Sequence, residues 1–192
     1  MLAGRDLAPG ALEAWLAWAD YVVAADGGAD LCREAGREPD KIVGDLDSIS
    51  DKRGLSADPD QDSSDADKLL SFLRSRGIES ATLIGVEGDR LDHVLATLYS
   101  VARVPQVSCR IVLRMGVAFV VRGPSEVERG SYNIVSLLPL GKARVTLSGV
   151  RWPLENAVLD PLGLVSLSNA GDPRLDVFLQ VHEGAVALFL SD

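Results

Sequence analysis

The chain has 192 residues, 47% of them hydrophobic, enough for one large domain or two small ones with a real core, and this excludes disorder throughout. Its net charge of −9 is uneven: residues 1–100 hold 20 of the 28 acids and 10 of the 19 bases, so that stretch carries −10 and the remainder +1. Such a balance repels phosphate backbones and anionic lipid, and no basic stripe offsets it, so neither nucleic acid nor a membrane is expected as a partner. A small anionic ligand would need a bridging cation.

In chain order, "ALEAWLAWAD" has apolar residues at helical spacing and predicts a helix with Trp15 and Trp18 as packing residues. "YVVAA" reads as a short strand ending at the loop "DGGAD", "LCREAG" as a short helix stopped by Gly36, and "KIV" as a second strand. The stretch "SISDKRGLSADPDQDSS" reads as a polar loop, after which Ser64 N-caps a helix over "DADKLLSFLRSRG" with Gly77 as its stop. The strand "ATLIGV", the turn "EGDR" and the helix "LDHVLATLYSVAR" come next. Strands alternating with helices imply a parallel sheet, whose ligands bind at the carboxyl ends of the strands; Asp26, Asp45 and the "EGDR" turn fall at such ends.

Beyond "RVPQVS" the rhythm changes to strand-like runs, "CRIVLRM", "VAFVVRG", "YNIVSLLPL", "ARVTLSGV", "GLVSLSN", "LDVFLQV" and "AVALFL", separated by Gly, Pro and Asn with no helical pattern between them. The expected fold is therefore a Rossmann-like parallel-sheet α/β domain over residues 1–105 followed by an all-β sandwich domain over 106–192. Cys32 and Cys109 are too few and too scattered for a disulfide framework or a zinc site, so a reducing cytoplasm is the expected location. The opening "MLAGRDLAPG" lacks a charged n-region with an apolar core, and no 18-residue apolar run occurs.

The acidic stretch carries the chemistry. Gly44 lets the backbone approach closely, and Asp45 and Asp47, pointing into one loop concavity, offer the hard oxygen ligands magnesium prefers. The plain alternative is an Asx-turn with Ser48 capping the next segment. Asp26, ending a different strand, brings a third acid to the same edge of the sheet. Asp65 stands at a helix start with Lys68 three residues on, an arrangement suited to an anion assisted by a metal or a lysine. Asp58 and Asp67 read as solvated charge or first-turn helix acids. Gly85, Gly88 and Arg90 form a strand-to-helix turn able to hold phosphate, in which Asp92 can equally be an N-terminal helix acid. His93 and His182 are assigned no metal. Trp152, in a turn before a proline, is poorly placed for a core and suits a stacking platform for an aromatic, cationic ligand.

Taken together, "ADGGAD", "VGDLDSI", "DQDSSDADK", "GDRLDH" and "GVRWPLEN" followed by "SLSN" resemble the thiamine pyrophosphokinase family, over about residues 20–170. The resemblance implies transfer of pyrophosphate from ATP to the hydroxyethyl oxygen of thiamine, giving thiamine diphosphate and AMP, and a homodimer whose active site is shared between subunits. It implies Asp45, Asp47 and Asp65 as magnesium ligands, with Asp47, Asp65 and Lys68 in the catalytic role. Asp26, Gly27, Gly28, Gly88, Arg90 and Asp92 fall on the ATP and phosphate side; Gln61, Asp62, Trp152, Ser168 and Asn169 on the thiamine side. Two departures stand out: Asp89 replaces the second glycine of the family's Gly-Gly-Arg turn, and relatives have a longer first strand containing glycine where this chain reads "MLAGRD". Rival readings are a haloacid-dehalogenase-like phosphatase, for which "KIVGDLDSIS" has too weak a strand, a non-catalytic sensor on the same scaffold, and a kinase for another heterocyclic alcohol such as a pterin.

Overall fold

A computed structural model describes residues 1–4, 7–44, 62–88, 90–127, 132–172 and 174–192. Among them are four helices and twelve strands, a mixed α/β architecture in two compact units, 1–114 and 115–192.

In the first unit α1 (Pro9–Trp18), β1 (Val23–Ala25), α2 (Gly28–Glu34) and β2 (Lys41–Val43) follow one another. β1 and β2 pair in parallel, Ala25 opposite Val43, so their carboxyl ends lie side by side. α3 (Asp65–Ser75) packs on both strands and against α4 (Leu91–Arg103). β3 (Ser80–Leu83) and β4 (Ser108–Leu113) form a second parallel pair. The short run Met1–Gly4 links the two pairs. Ala25 N–H donates to Met1 O (2.9 Å), while Leu2 and Gly4 N–H donate to Ile84 O (2.7 Å) and Gly85 O (2.8 Å). Met1–Gly4 thus supplies a strand-like rung, and its crowding explains Gly85, whose φ is +78° and whose added Cβ would lie 2.3 Å from Leu2 O. The stop glycines Gly36 and Gly77 also have positive φ, as left-handed helix C-caps require.

Met1, Leu16, Val22, Ala24, Leu31, Cys32, Ile84 and Val112 form one apolar cluster of this unit, with Trp15 packed against it. Trp18 does not join it. It is 73% exposed and meets Trp15 only edge-on, 5.9 Å between ring centroids, because its position ends the helix rather than facing the cluster.

The second unit holds β5 (Gly116–Val121), β6 (Pro124–Val127), β7 (Ile134–Pro139), β8 (Ala143–Ser148), β9 (Leu154–Leu159), β10 (Ser166–Ala170), β11 (Val177–Glu183) and β12 (Val186–Ser191). Its antiparallel neighbours run β10-β7-β12-β5 and β6-β11-β8-β9. Residues alternate strictly between buried and half-buried along β7. The inward residues Val135, Leu137, Val186, Leu188 and Leu190 of one set share a core with Val145, Leu147, Leu159, Val177, Leu179 and Val181 of the other. The sequence reading begins the β domain at 106, whereas the compact units divide after Arg114, since β4 pairs with β3. β6 and β9 are strands that the sequence pattern does not announce.

Candidate functional site

Asp26 follows β1 directly and is 3% exposed, with φ 44°. Its amide donates to Val43 O (3.0 Å) and its carbonyl accepts from Ala29 N–H (2.9 Å), so the residue is fixed between β2 and the start of α2. A left-handed residue other than glycine costs about 1 kcal/mol or more, which aspartate bears better than most. Beyond it lies Gly44, with φ +130°, where an added Cβ would stand 3.3 Å from Asp26 Cβ. The φ of the glycine before Asp45 strains any other residue, and the close approach of the two strand ends adds to that. Gly27 N-caps α2 and Gly28 opens it; a Cβ on Gly28 would lie 2.5 Å from Met1 O, so packing alone requires that glycine.

Ser64 caps α3 as expected, in a complete capping box. Asp67 N–H donates to Ser64 Oγ (3.2 Å), and Ser64 N–H (3.1 Å) and Oγ–H (2.7 Å) donate to Asp67 Oδ2. Arg103, in the last turn of α4, donates to Asp67 Oδ1 at 2.6 Å. Partial burial pushes the Asp67 carboxyl up, but hydrogen bonds from Ser64 and Arg103 outweigh it and hold the group at about 2. Asp67 is therefore not mere solvated charge; it fastens the start of α3 to the end of α4. That first turn carries Asp65, half-buried, and Lys68, 8% exposed, whose spacing sets them on one helix face. "Ser-x-x-Asp" before an apolar run was the available signal for the box; nothing local announces Arg103, 36 residues away.

The turn after β3 places Gly88 N–H on Val86 O (3.1 Å) and makes Arg90 the N-cap of α4. Arg90 Nη2 and Nε donate to the two carboxylate oxygens of Asp92 at 2.6 and 3.2 Å. Both groups face solvent; their hydrogen bond lowers the Asp92 carboxyl and raises the guanidinium.

In the second unit, β10 carries one extra residue: three steps from Ser166 to Asn169 match two on β7, from Leu137 to Val135. Ser168 absorbs the bulge with φ 53°, its N–H donating to Ser136 Oγ (2.9 Å). The reset turns Asn169 inward, to 3% exposure. There its Oδ1 accepts from Trp152 N–H (3.1 Å) and its Nδ2 donates to Trp152 O (2.7 Å). Trp152 as a residue is 55% exposed, with the Arg151 guanidinium 4.9 Å from the ring centroid.

The fold thus gathers the expected residues in groups: Asp26, Gly27 and Gly28 beside Gly44; Asp65 with Lys68; Arg90 with Asp92 after Gly88; and Trp152 with Asn169 next to Ser168. Asp62 is exposed, just before the α3 cap. Asp45, Asp47, Gln61, Asp58 and Asp89 lie outside the described residues. Among the described residues no three His, Cys, Asp or Glu side chains gather as a metal cluster. Nor is any helix among them long and apolar enough to cross a membrane.

The fold and these groups define a mixed α/β protein with Asp26 buried at a strand end in one unit and an exposed aromatic on an antiparallel scaffold in the other. The family model for the thiamin pyrophosphokinase catalytic domain matches residues 12–113, and that for the thiamin pyrophosphokinase vitamin B1 binding domain matches residues 125–186. The chain belongs to the thiamin pyrophosphokinase family. It is 32% identical to thiamine pyrophosphokinase 2 of Arabidopsis thaliana, over 69% of this chain and 58% of the relative. To thiamine pyrophosphokinase 1 of Oryza sativa it is 31% identical, over 69% and 59%. The chain thus spans under two thirds of the length of these relatives. The crystal structure of thiamine pyrophosphokinase from Bacillus subtilis shares its fold, with TM-score 0.81 and 19% identity over 99% of this chain and 96% of that one. The Candida albicans thiamin pyrophosphokinase structure shares it likewise, with TM-score 0.80 and 18% identity over 100% and 88%.

Proposed function

We propose that the chain transfers a pyrophosphoryl group from ATP to the hydroxyethyl oxygen of thiamine, releasing AMP, on a Rossmann-like α/β domain joined to a β-sandwich. The observation that carries this reading is Trp152, an exposed ring on a hydrogen-bonded backbone within the stretch matched by the vitamin B1 binding model. A flat, electron-rich face suits a heteroaromatic cation such as thiazolium.

In the reaction the alcohol oxygen bonds to the β-phosphorus, the bond from that phosphorus to the AMP oxygen breaks, and the alcohol proton passes to a carboxylate, Asp65 or Asp47. Asp45, Asp47 and Asp65 would hold magnesium; an all-carboxylate donor set fits a hard cation, which when bound neutralises triphosphate charge. Asp26, Gly27, Gly28, Gly88, Arg90 and Asp92 form the nucleotide side, and Lys68 supplies positive charge near Asp65. Gln61, Asp62 and Ser168 complete the thiamine side, where Asn169 holds the backbone of Trp152. Catalysis rests on positioning and electrostatics.

The same reading makes the active protein a homodimer with its active site shared between subunits. It is supported by α4, which exposes Leu91 (71%), Leu95 (46%) and Tyr99 (44%) at helical spacing, a stripe that a second subunit would cover. Buried free Cys32 and Cys109, their thiols pushed up by burial, accord with a cytoplasmic location.

The test is AMP release from ATP and magnesium with thiamine, with a pterin alcohol and with no acceptor. Thiamine-dependent AMP is expected; its absence sinks the proposal, and AMP with the pterin alone transfers it to that acceptor. Asp47→Asn should abolish turnover with an unchanged circular-dichroism spectrum. Mixing Trp152→Ala with Asp65→Asn subunits should restore activity in exchanged dimers; no recovery would place a whole site in one subunit.

A further inference from the structure

We infer that Asn169 is a positioning residue that acts through Trp152, rather than a group that touches the ligand. The inference rests on the reading of Trp152 as the thiamine platform.

The side chain is buried and one of its donors and one acceptor are spent on the main chain of a single residue, Trp152 N–H and Trp152 C=O. Only one amide orientation satisfies both partners, since the N–H needs an acceptor and the C=O a donor. Gripping both sides of one Cα fixes the backbone torsions there, and with them the direction in which the indole leaves the chain. The grip belongs to a larger rung. Arg151 N–H donates to Ala170 O (2.7 Å), Val150 bridges Gly171, and Asp172 N–H donates to Gly149 O (3.0 Å). Residues 149–152 are thus laced to 169–172, and Gly149, with φ +77°, admits no side chain because an added Cβ would lie 2.0 Å from Asp176 O.

Burying an amide is unfavourable unless its groups are paired, and here the pairing orders a ring that is itself mostly outside the core. A side chain that only packed would give the same burial without aiming two opposite hydrogen-bonding groups at one exposed aromatic residue. Preorganising the platform before binding lowers the ordering cost that ligand binding would otherwise carry.

Asn169→Asp keeps the shape and the acceptor but turns an oxygen toward Trp152 O. Losing one such bond should raise the KM for thiamine about three- to tenfold, leaving the KM for ATP and kcat within about twofold. In the Trp152→Ala background the same substitution should change nothing further. A persisting effect there would show that Asn169 contacts thiamine itself and overturn the inference, as would equal losses for both substrates. A ligand-free readout separates this from failure of the functional reading. In the ¹⁵N–¹H spectrum the Trp152 indole resonance, assigned with Trp152→Phe, should shift and broaden in Asn169→Ala while those of Trp15 and Trp18 stay in place. An unmoved Trp152 resonance refutes the positioning role even if thiamine proves not to be the substrate.

Discussion

The candidate residues of the two units are held by different means. On the second unit, Trp152 is carried by a ladder of main-chain bonds and a buried amide, so its place is set by the sheet before any ligand arrives. On the first unit, Asp26, Gly44, Arg90 and the start of α3 sit at strand and helix ends, fixed by separate contacts rather than by one ladder. The aromatic residue rests on one hydrogen-bonded ladder, whereas the described groups of the first unit are fixed separately at the ends of their elements. Lesions of the ligand-side groups should therefore separate: at Asn169 binding and stability fall together, at the exposed Arg90 binding falls with stability nearly intact.

The severest break is Gly149→Ala. Relieving a 2.0 Å approach to Asp176 O at φ +77° forces the backbone to move, at a cost of about 3 kcal/mol or more. Denaturant unfolding should show that loss. A midpoint unchanged from the parent would mean that the pedestal yields easily and that the contrast between the halves is false. Gly28→Ala, facing Met1 O at 2.5 Å without a positive φ, should cost less, about 1–3 kcal/mol.

A smaller effect isolates one fastening in the first unit. The Asp67 carboxyl is held at about 2 against an ordinary 3.8, so between these values the unfolded chain binds more protons than the folded one. The contribution is complete above pH about 4 and is lost as pH falls through about 2. Asp67→Asn should cost about 1 kcal/mol at neutral pH, the scale of a lost helix cap. Its unfolding free energy should also fall less steeply across that acid window than the parent's. Parallel curves for parent and variant would remove Asp67 from the role.

Where hydrophobic period and punctuation coincide, the elements were readable: α4 and β2 match "LDHVLATLYSVAR" and "KIV", and Ser64, Gly36 and Gly77 mark helix ends as expected. The two strands that escaped, β6 and β9, are the edges of one sheet. β6 opens on Pro124, and β9 carries Asn156 at φ 47° and little burial, so neither needs the alternation that a central strand shows. For the site, residue types were readable but partnerships were not. Asn169 was visible as a family position, yet its grip on Trp152, 17 residues away in sequence, depends on a bulge, and Asp67 found Arg103 only through helix packing. Long-range pairs carry no local period.

The least perturbing change sharpens the contrast most. Arg90 and Asp92 form a close pair, but both are more than 60% exposed, and solvent screening leaves such pairs little effect on stability. Arg90→Gln should therefore shift the thermal midpoint by no more than about 2 °C. If Arg90 serves the nucleotide, its loss should still raise the KM for ATP severalfold while the KM for thiamine stays put. The mirror image is Asn169→Ala, whose truncation leaves buried main-chain groups of Trp152 without their partner and should lower the midpoint by several degrees while raising the thiamine KM. Equal thermal losses from the two variants would mean that the Arg90 turn is scaffold as much as ligand grip, and the division between a laced aromatic residue and separately fixed groups would fail.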